Sequence, residues 1–442
     1  MSKYFTNYFA RHSLLLKKTL EKLQDYYLFD AKKLRELSNE LFMKQFNYAF
    51  KNSSFYHNLY SQYGLNINSI KSLDDITLIP VIQKKDIKYN IHDIYTGLKL
   101  FYSKGQTSGT TGSPLTVYRD YNSILLENAY QWHYRIRKGY QPRDRAISLS
   151  GKLLKDQLKS FDPYLNILYL SGYNINADEI GFYIKEIEKF KPKAVIGYPS
   201  SLSALAVEIS KKAVLSVKIP LAFTSSENLY DFQTEKIEKV FNCRVHDWYG
   251  NAERTIALEQ CDAGGYHEAP LYSYNEFEEN RIITTGFINK HFPLIRYQVD
   301  DLISLDDHGQ HICNMHTRKI KSIDGRAQDY VVLCDGSIVN RLNQAFKNIR
   351  NVQFIQLIQN DCSKIFVNVV PEIGFNLEDH DQIFDSIYSR SGESIKLEVN
   401  TIEEKDIVRS DSGKYLLVVN NLKKNGKASA QRQALNWDPP LK

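Results

Sequence analysis

The chain has 442 residues, 43% hydrophobic and 24% charged, which is the balance of an ordinary globular protein and excludes a collagen-like, mucin-like or disordered chain. Its formal net charge of +6 is spread along the sequence, whereas a nucleic-acid-binding protein would concentrate positive charge in a patch, so no nucleic-acid partner is predicted. At about 150 residues per domain, the length predicts more than one domain.

Hydropathy and cysteine usage bear on the compartment. No apolar run reaches the roughly 18 residues that a transmembrane helix needs. The run Leu14-Leu15-Leu16 is too short for a signal peptide and continues into Lys17-Lys18, so we expect a cytoplasmic protein. In that reducing compartment the five cysteines are expected to be thiols or metal ligands and not a disulfide framework. Cys243, Cys334 and Cys362 lie in apolar, strand-like sequence and are predicted to belong to the core.

The N-terminal residues follow a helical pattern. Residues 4–48 contain no proline or glycine and repeat apolar side chains at helical spacing, so residues 1–48 are predicted to form an N-terminal helical extension. The favoured interpretation is that the helix packs on the protein's own body or on a partner chain, as in a homodimer. Binding to a membrane surface is the alternative.

The middle of the chain alternates between short β-branched runs and helical stretches, from Asn66 to about Pro293. Strands are predicted at residues 145–150, 194–197 and 219–223, and helices at residues 177–190, 200–212 and 231–241. This alternation predicts an α/β body of layered sheets and helices, in which sites form where parallel strands end in loops.

The pattern changes after Gly325 to that of a small α+β unit. Strands are predicted at residues 330–333, 352–358, 364–370 and 395–399, and helices at residues 341–349 and 380–389. We therefore predict a large domain over residues 49–325, a small mobile domain over residues 326–420 that moves about the Gly325 region, and a loose polar tail over residues 421–442.

The sharpest local signal is the loop Thr107-Ser-Gly-Thr-Thr-Gly-Ser-Pro114, which combines two glycines with five hydroxyl residues. Glycine lets backbone N–H groups approach an anion and hydroxyls add donors, which favours a phosphate-binding loop. The loop lacks the Gly-Lys-Ser/Thr ending of the P-loop NTPases, and a plain Ser/Gly turn is the alternative. The predicted phosphate-binding residues are Thr107, Ser108, Gly109, Thr110, Thr111 and Gly112.

This loop resembles the ATP-phosphate loop of the adenylate-forming superfamily, and most closely that of the family of phenylacetate–CoA ligases, coenzyme F390 synthetases and CapK-type capsule proteins. Other blocks resemble the same family in the same order. These blocks are Ser53 to His57, Leu78 to Val81 with Lys84-Lys85, Ile196 to Leu202, Thr224 to Leu229, Tyr249 to Glu253, Arg296 to Leu302, Gly325 to Asp329 and Arg409 to Lys414. The resemblance covers residues 50–420.

The resemblance implies an AMP-forming ligase that joins a small carboxylic acid to the α-phosphate of ATP and releases pyrophosphate. Both reactants are anions, so such a site must neutralise charge and hold the groups in line. CoA is the implied acceptor of the acyl group, and an amine in surface-polysaccharide (capsule) biosynthesis is the alternative that the CapK-type relatives imply. A nucleotide-binding protein that does not catalyse is the alternative from another class.

The resemblance also implies residue roles. Glu253 would position Mg²⁺, Arg326 would reach a phosphate or ribose oxygen, and Lys414 would bring its ammonium group to the developing charge at the α-phosphate. The residues implied to surround the adenine or the ribose are Ser226, Glu227, Tyr249, Gly250 and Asp301.

Four positions in three blocks depart from the family pattern. Val299-Asp300 replaces Thr-Gly and adds a negative charge, Ala252 replaces a hydroxyl residue, and Ser113 stands where many relatives carry lysine. The implication is slow turnover or an unusual substrate.

A second constellation consists of the pairs Cys261-(x5)-His267 and His311-x-Cys313. In the F390-synthetase branch, pairs at these places bind a structural metal. Two thiolates and two imidazoles suit tetrahedral Zn²⁺ with no open position. The resemblance therefore implies a structural zinc site at these four residues, with His316 as a substitute ligand, and unrelated loop residues are the alternative.

Overall fold

The computed structural model describes residues 14–98, 102–106, 115–149, 157–172, 175–212, 214–306, 313, 315–326, 329–339, 342, 346, 349–391, 395–410 and 414–423. Several predicted features lie outside these residues: the first part of the N-terminal extension, the loop 107–112, most of the helix predicted at 341–349 and nearly all of the tail.

The helices are α1 (Leu14–Tyr26), α2 (Ala31–Asn52), α3 (Ser54–Gln62), α4 (Lys84–Tyr89), α5 (Ile91–Ile94), α6 (Tyr121–Arg137), α7 (Ile180–Phe190), α8 (Pro199–Lys212), α9 (Asp231–Phe241) and α10 (Leu377–Ser391). Single 3₁₀ turns form at Leu73–Leu78, Glu404–Asp406 and Asn421–Lys423. Within the described part of the chain, none of the helices combines the length and the hydropathy that crossing a bilayer requires.

The strands are β1 (Tyr102–Gln106), β2 (Thr116–Asp120), β3 (Ala146–Leu149), β4 (Lys159–Asp162), β5 (Ile167–Leu170), β6 (Ala194–Gly197), β7 (Leu221–Ser225), β8 (Arg244–Gly250), β9 (Ala257–Gln260), β10 (Tyr266–Glu268), β11 (Ser273–Glu278), β12 (Arg281–Gly286), β13 (Tyr297–Leu305), β14 (Lys319–Arg326), β15 (Val331–Val332), β16 (Ile338–Val339), β17 (Val352–Gln359), β18 (Lys364–Pro371), β19 (Lys396–Thr401) and β20 (Val418–Asn420). The chain divides into two compact units. Unit 1 consists of residues 1–144 and 246–323, and unit 2 consists of residues 145–245 and 324–442. The domain boundaries predicted from the sequence stay predictions.

The described part of the N-terminal extension forms two helices that pack on unit 1. Leu23 of α1 is buried in a cluster with Tyr130 and Tyr134 of α6. Asp30 begins α2, because its carboxylate accepts the backbone N–H of Lys33 at 2.7 Å and so caps the helix. In this part of the chain the packing on the protein's own body agrees with the favoured interpretation.

Unit 1 contains a sheet of strand order β11-β12-β13-β14-β10-β9-β8, together with the hairpin β1-β2. The pairs β8–β9, β9–β10, β10–β14, β11–β12 and β12–β13 are antiparallel. The predicted strand–helix alternation is therefore wrong beyond β8. The turn between β11 and β12 shows why: Glu279 and Asn280 both adopt positive φ, as a two-residue hairpin requires, without the glycine that would have marked it.

Unit 2 contains the predicted α/β alternation. Its strand order is β7-β6-β3-β5-β4, and the pairs β7–β6, β6–β3 and β3–β5 are parallel. Residues 146–149 are buried at all four positions, as a strand covered on both faces must be. The observed strands β3, β6 and β7 and helices α7, α8 and α9 lie at the predicted places.

The C-terminal part of unit 2 adds a four-stranded sheet of order β19-β18-β17-β20 beside α10. β17 pairs antiparallel with β18, while β18–β19 and β17–β20 are parallel. The strands and α10 surround their own apolar cluster, which includes Leu357, Val367 and Ile383. This agrees with the predicted α+β unit. Gly325, in β14, has a φ of 86°, a backbone conformation that residues with a side chain rarely adopt.

Cys334 and Cys362 form a disulfide, which corrects the prediction that both are buried thiols. Cys334 is exposed in the turn between β15 and β16, Cys362 lies in the turn between β17 and β18, and their Cα atoms are 4.8 Å apart. Gln359 joins the same hairpins, because its amide donates to the carbonyl of Val332 at 2.7 Å and accepts that residue's N–H at 2.8 Å. A separation of 28 residues in sequence gave no sign that two turns lie side by side. Cys243 packs against the unit 2 core, and burial raises the pKa of its thiol to about 12.

Candidate functional site

The strands on either side of the predicted phosphate loop form an antiparallel hairpin. β1 and β2 pair from Tyr102 opposite Asp120 to Gln106 opposite Thr116. The loop residues Thr107, Ser108, Gly109, Thr110, Thr111, Gly112 and Ser113 lie outside the described residues. Their phosphate-binding role therefore stays a prediction.

Arg119 of β2 ties this hairpin to the turn after β8. Its Nε donates to the carbonyl oxygen of Ala252 at 3.1 Å, and its terminal Nη2 donates to the same oxygen. Burial, and secondly the charge of Arg254, lower the pKa of the Arg119 guanidinium to about 10. The guanidinium lies against Gly105, where any Cβ would collide with it. The position of Ala252 therefore contributes its carbonyl group to the site, for which no side-chain hydroxyl is needed.

Glu253 is a buried carboxylate in the turn that follows β8. It is 6% exposed, and its Oε1 accepts the hydroxyl hydrogen of Tyr297 at 2.9 Å. Burial raises the pKa of the Glu253 carboxyl, the Tyr297 hydrogen bond and the charge of Lys84 lower it, and the charge of Asp301 raises it. A carboxylate with so little water around it is prepared to accept a cation.

Asp301 of β13 faces the end of β8. The hydroxyl of Tyr249 donates to Asp301 Oδ2 at 2.5 Å. The bond is to a charged acceptor and is short, so it fixes the orientation of both side chains. Asp301 has a second carboxylate oxygen, and a carboxylate can accept several hydrogen bonds at once.

Asp300, the additional acidic residue, lies beside a lysine. Lys84 is the first residue of α4, and its Nζ is 3.6 Å from Asp300 Oδ2. Both side chains are partly buried, with 25% and 33% exposed. The extra negative charge that the sequence places before Asp301 is thus answered by a positive charge from a distant helix.

These residues form one cluster within unit 1. It contains the carboxylates of Glu253 and Asp301, each held by a tyrosine hydroxyl, and the ammonium group of Lys84. Carboxylate oxygens bind hard divalent cations and accept hydrogen bonds from hydroxyl groups. The cluster is therefore suited to a cation and to a hydroxyl-bearing ligand.

A second group of predicted residues meets within unit 2. Lys414 Nζ donates to the carbonyl oxygen of Ser226 at 3.2 Å and lies 5.6 Å from the centre of the Tyr198 ring. Ser226 has φ of 74°, a conformation that costs a non-glycine residue on the order of 1 kcal/mol or more. Such strain persists only where the surrounding contacts fix it, and it is typical of ligand sites.

Glu227, the next residue, joins two other segments of unit 2. Its Oε2 accepts the backbone N–H of Ser200 at 3.2 Å, and its Oε1 accepts the backbone N–H of Tyr415 at 3.0 Å. Glu227 as a whole is half-buried, but burial of its carboxyl group raises the pKa, which the two N–H donors and the charge of Arg409 lower in part. The sequence placed Glu227 at the base pocket and gave no hint of these partners.

Two further predicted residues end strands. Gly250 is the last residue of β8 and lies opposite Ala257 of β9. A Cβ at Gly250 would come within 3.2 Å of the Trp248 indole nitrogen, so the backbone packs closely there. Arg326 ends β14, and its side chain is outside what the structure describes.

Three of the four predicted zinc ligands lie together in unit 1. Cys261 Sγ, His267 Nε2 or Nδ1 and Cys313 Sγ all fall within 4.8 Å of one another. His267 is 1% exposed, its Nδ1–H donates to the carbonyl of Thr317 at 3.0 Å, and its Nε2 is 3.0 Å from Cys313 Sγ. The Thr317 bond fixes the tautomer that leaves Nε2 as the ligand atom, as in metal-binding histidines generally. His311 lies outside the described residues, and the described His316 is not part of the group.

Some residues of the cluster received no role from the sequence. Lys84 and Tyr297 stand inside blocks that resemble the family, and Arg119 follows the predicted phosphate loop, but the resemblance gave none of the three a partner. A lysine at the start of a short helix is usually solvated, and a buried tyrosine is usually core. Their roles are visible only when the strands and the helix start are placed side by side.

Comparison with known proteins identifies relatives of this chain. Residues 332–421 match the family model of the CapK C-terminal domain. The chain is 29% identical over 399 residues to Protein CapK of Staphylococcus aureus, an alignment that covers 82% of this chain and 88% of that protein.

Among solved structures, the fold is similar to that of 2-hydroxyisobutyryl-CoA ligase. Its structure in the postadenylation state with R3-HIB-AMP gives a TM-score of 0.69 at 15% identity, over 92% of this chain and 94% of that one. Its structure in the thioesterification state with 2-HIB-AMP and CoA gives 0.57 at 17% identity, over 93% and 94%. The resemblance to CapK-type proteins is confirmed, and so is the predicted α/β fold class with an α+β C-terminal unit.

Proposed function

We propose that this protein is an acid-activating ligase, which forms an acyl adenylate from a carboxylic acid and ATP and then transfers the acyl group to an acceptor. The observation that carries the proposal is the pair of carboxylates, Glu253 and Asp301, each oriented by a tyrosine hydroxyl in a chain similar to CapK over most of its length. The direct test is release of pyrophosphate from ATP, screened over aryl, short aliphatic and amino acids.

In this proposal the unit 1 cluster binds the nucleotide. Asp301 accepts hydrogen bonds from the ribose hydroxyls, Tyr249 holds that carboxylate and lies against the adenine, and Gly250 allows the base to approach the strand end. Lys84 offsets the charge of Asp300, which would otherwise repel the phosphates. The loop 107–112 binds the departing phosphates.

The buried carboxylate of Glu253 fits a magnesium ion, because it offers an oxygen ligand. Burial raises the pKa of this carboxyl group, and a bound cation would stabilise its ionised form. Bound there, Mg²⁺ would spread the phosphate charge during attack. Tyr297 fixes the ligand oxygen by its hydrogen bond.

The unit 2 group provides the catalytic cation. Lys414 brings its ammonium group to the charge that develops between the acyl oxygen and the α-phosphate, and Arg326 reaches a phosphate or ribose oxygen. The carbonyl of Ser226 accepts a hydrogen bond from Lys414 Nζ and so orients the ammonium group. Because the reacting groups are both anionic, a positioned cation is the contribution that such a reaction most needs.

CoA is the acceptor we propose for the second step, with an amine as the alternative. The first is favoured by the fold shared with a CoA ligase, and the second by the similarity to CapK. Adding CoA or a set of amines to the pyrophosphate-release screen distinguishes them. The acceptor that raises turnover with one acid and appears in the product by mass spectrometry is the substrate.

A nucleotide-binding protein without catalysis is the competing proposal. It would account for Ala252 and Ser113, but not for the network that keeps Glu253, Asp301 and Lys84 mutually oriented. Binding of ATP without pyrophosphate release, over the whole panel of acids and acceptors, would favour it.

We also propose a structural zinc ion at Cys261, His267 and Cys313, with His311 as the fourth ligand. The three described ligand atoms lie as close together as a tetrahedral site requires, and the Thr317 carbonyl orients His267 for it. Zinc bound there would hold loop 261–265 to the segment around residue 313. Four protein ligands fill a tetrahedral site, so the metal has a structural role.

Replacing Asp301 by alanine should weaken ATP binding by about 1.5–3 kcal/mol, because a charged acceptor of hydroxyl hydrogen bonds is lost. Calorimetric titration with ATP measures the change. Asp300→Asn is the matched control, since that carboxylate is paired with Lys84 and its removal should not weaken binding. Loss of affinity in Asp300→Asn, with Asp301→Ala unchanged, would move the ribose contact by one residue.

Replacing Lys84 by methionine should weaken ATP binding by about 1 kcal/mol, because the charge of Asp300 is then left facing the nucleotide. The double variant Lys84→Met with Asp300→Asn should recover most of the loss. The control is Lys85→Met, a change of the same type at the next position. If the double variant binds ATP no better than Lys84→Met alone, the two side chains are not coupled.

A further inference from the structure

The carboxylate of Glu227 connects the body helices of unit 2 to the segment that carries Lys414. One oxygen accepts the N–H of Ser200, in the first turn of α8, at 3.2 Å. The other accepts the N–H of Tyr415, the residue directly after Lys414, at 3.0 Å. Both oxygens of one carboxylate are therefore used to join two segments that are more than 200 residues apart in sequence.

The segment around Lys414 is itself closed by local bonds. Ser410 donates its backbone N–H to the carbonyl of Lys414 at 2.8 Å, and Lys414 donates its N–H to Ser410 Oγ at 3.1 Å. A residue held in so short a loop moves with its neighbour. Fixing the Tyr415 N–H therefore fixes the backbone from which the Lys414 side chain extends, whose Nζ reaches the carbonyl of Ser226.

Other contacts hold the C-terminal residues of unit 2 to its helices without touching Lys414. Phe354, Val370 and Ile407 are buried in one apolar cluster with residues of α7, α8 and α9. Lys236 of α9 pairs with Glu372. The burial of these large apolar side chains contributes more free energy to the packing than a single hydrogen bond contributes. Glu227 is thus not needed for the packing as a whole, and its particular contact is with the residue beside Lys414.

We propose that Glu227 is the positioning residue for Lys414, which acts by accepting the Tyr415 N–H and so holds the ammonium group beside Ser226. The inference rests on the proposed function, in which Lys414 serves the adenylation step.

The contact can be tested without any substrate, by hydrogen exchange in the full chain. Glu227→Ala removes both acceptors, so the Tyr415 N–H loses its partner, whereas glutamine at this position could keep that bond by turning its amide oxygen to Tyr415. We expect the Tyr415 amide to exchange at least tenfold faster. Glu372→Gln, which breaks the ion pair with Lys236, should leave that amide unchanged. Unchanged exchange in Glu227→Ala would overturn the proposal.

The consequence for catalysis is tested by ATP–pyrophosphate exchange, with the acid that supports pyrophosphate release in the wild type. Glu227→Ala should lower kcat about tenfold, with KM for ATP within about twofold, because both oxygens of this carboxylate accept the N–H groups of Ser200 and Tyr415. A raised KM with unchanged kcat would overturn the proposal and make Glu227 a nucleotide contact. Glu372→Gln should keep both constants.

The two arms separate this inference from the proposed function. If no acid supports exchange of pyrophosphate in the wild type, the proposed function fails, and the exchange of the Tyr415 amide still decides whether Glu227 fixes the segment. If Glu227→Ala does not fold, Glu227→Leu, which also removes both acceptors but leaves less empty space, is measured in its place against the same two results.

Discussion

Replacing Lys414 by alanine should lower the rate of acyl-AMP formation by about 10²-fold or more, because a positioned charge at the reacting centre commonly contributes that much. Lys414 Nζ donates a hydrogen bond to the carbonyl of Ser226 at 3.2 Å, so its ammonium group lies beside the segment that the resemblance assigns to the nucleotide. Pyrophosphate release in a single turnover, with the acid found by the screen, measures this step. ATP affinity should change much less than the rate.

Lys405→Ala is the matched control for this experiment. Lys405 is also a lysine of the C-terminal region, but it is exposed and pairs with Glu403 two residues away. Its replacement should leave adenylation unchanged. Wild-type rates of acyl-AMP formation in a folded Lys414→Ala protein would remove the catalytic role from that lysine.

The secondary structure of unit 2 could be predicted because its signals are local. A strand covered on both faces is a nearly continuous apolar run; Ala194–Gly197 is such a run, and Ala146–Leu149 is one apart from Ser148. The helices of unit 2 have apolar residues at helical spacing, as in α7 and α9. Each element could therefore be read from about a dozen neighbouring residues.

The antiparallel sheet of unit 1 was less predictable, because one of its tight turns lacks the usual glycine. Gly264 and Gly265 mark the turn before β10, but Glu279 and Asn280 form a tight turn without glycine. Its strands also carry mixed polar and apolar side chains. Their place is decided by partners far along the chain, as when β10 pairs with β14.

At the candidate site, too, the sequence could name residues but not their hydrogen-bond partners. The resemblance named Tyr249, Asp301 and Glu253, since their sequence blocks are distinctive. It did not show that the Tyr249 hydroxyl donates to Asp301, a contact across 52 residues. Nor did it show the bond between Glu227 and Tyr415, a contact across 188 residues. Hydrogen bonds at such separations depend on the tertiary fold, which one sequence block does not contain.

The unusual Val299-Asp300 pair illustrates what the structure adds to the charge argument. Read along the sequence, Asp300 places a second carboxylate beside Asp301 and predicts repulsion of a nucleotide. In the fold, Val299 is buried at 6% exposure and Asp300 turns to Lys84. The local charge is therefore less negative than the sequence block suggests. The Val299-Asp300 pair is compatible with nucleotide binding.

Protein purified without added metal should contain about one zinc ion per chain, and removal of that ion should lower the free energy of unfolding by several kcal/mol. Cys261, His267 and Cys313 already lie within 4.8 Å of one another. A ligand that binds only the folded chain stabilises it by about 4 kcal/mol at a thousand times its Kd, and zinc binding energy acts as folding energy in this way. Elemental analysis and the shift of Tm on chelation measure the two quantities.

Cys313→Ser should reproduce the effect of chelation, whereas Cys243→Ser is the matched control. Cys243 is a free thiol that packs against the core of unit 2 and is not part of the metal group. Its replacement should leave the zinc content at the wild-type level. Cys313→Ser should lose the ion and unfold at a clearly lower Tm. Because the metal has no open position in this proposal, the folded fraction of Cys313→Ser should still adenylate its acid. Zinc well below one ion per chain in the wild type, or equal zinc in the wild type and Cys313→Ser, would refute the site.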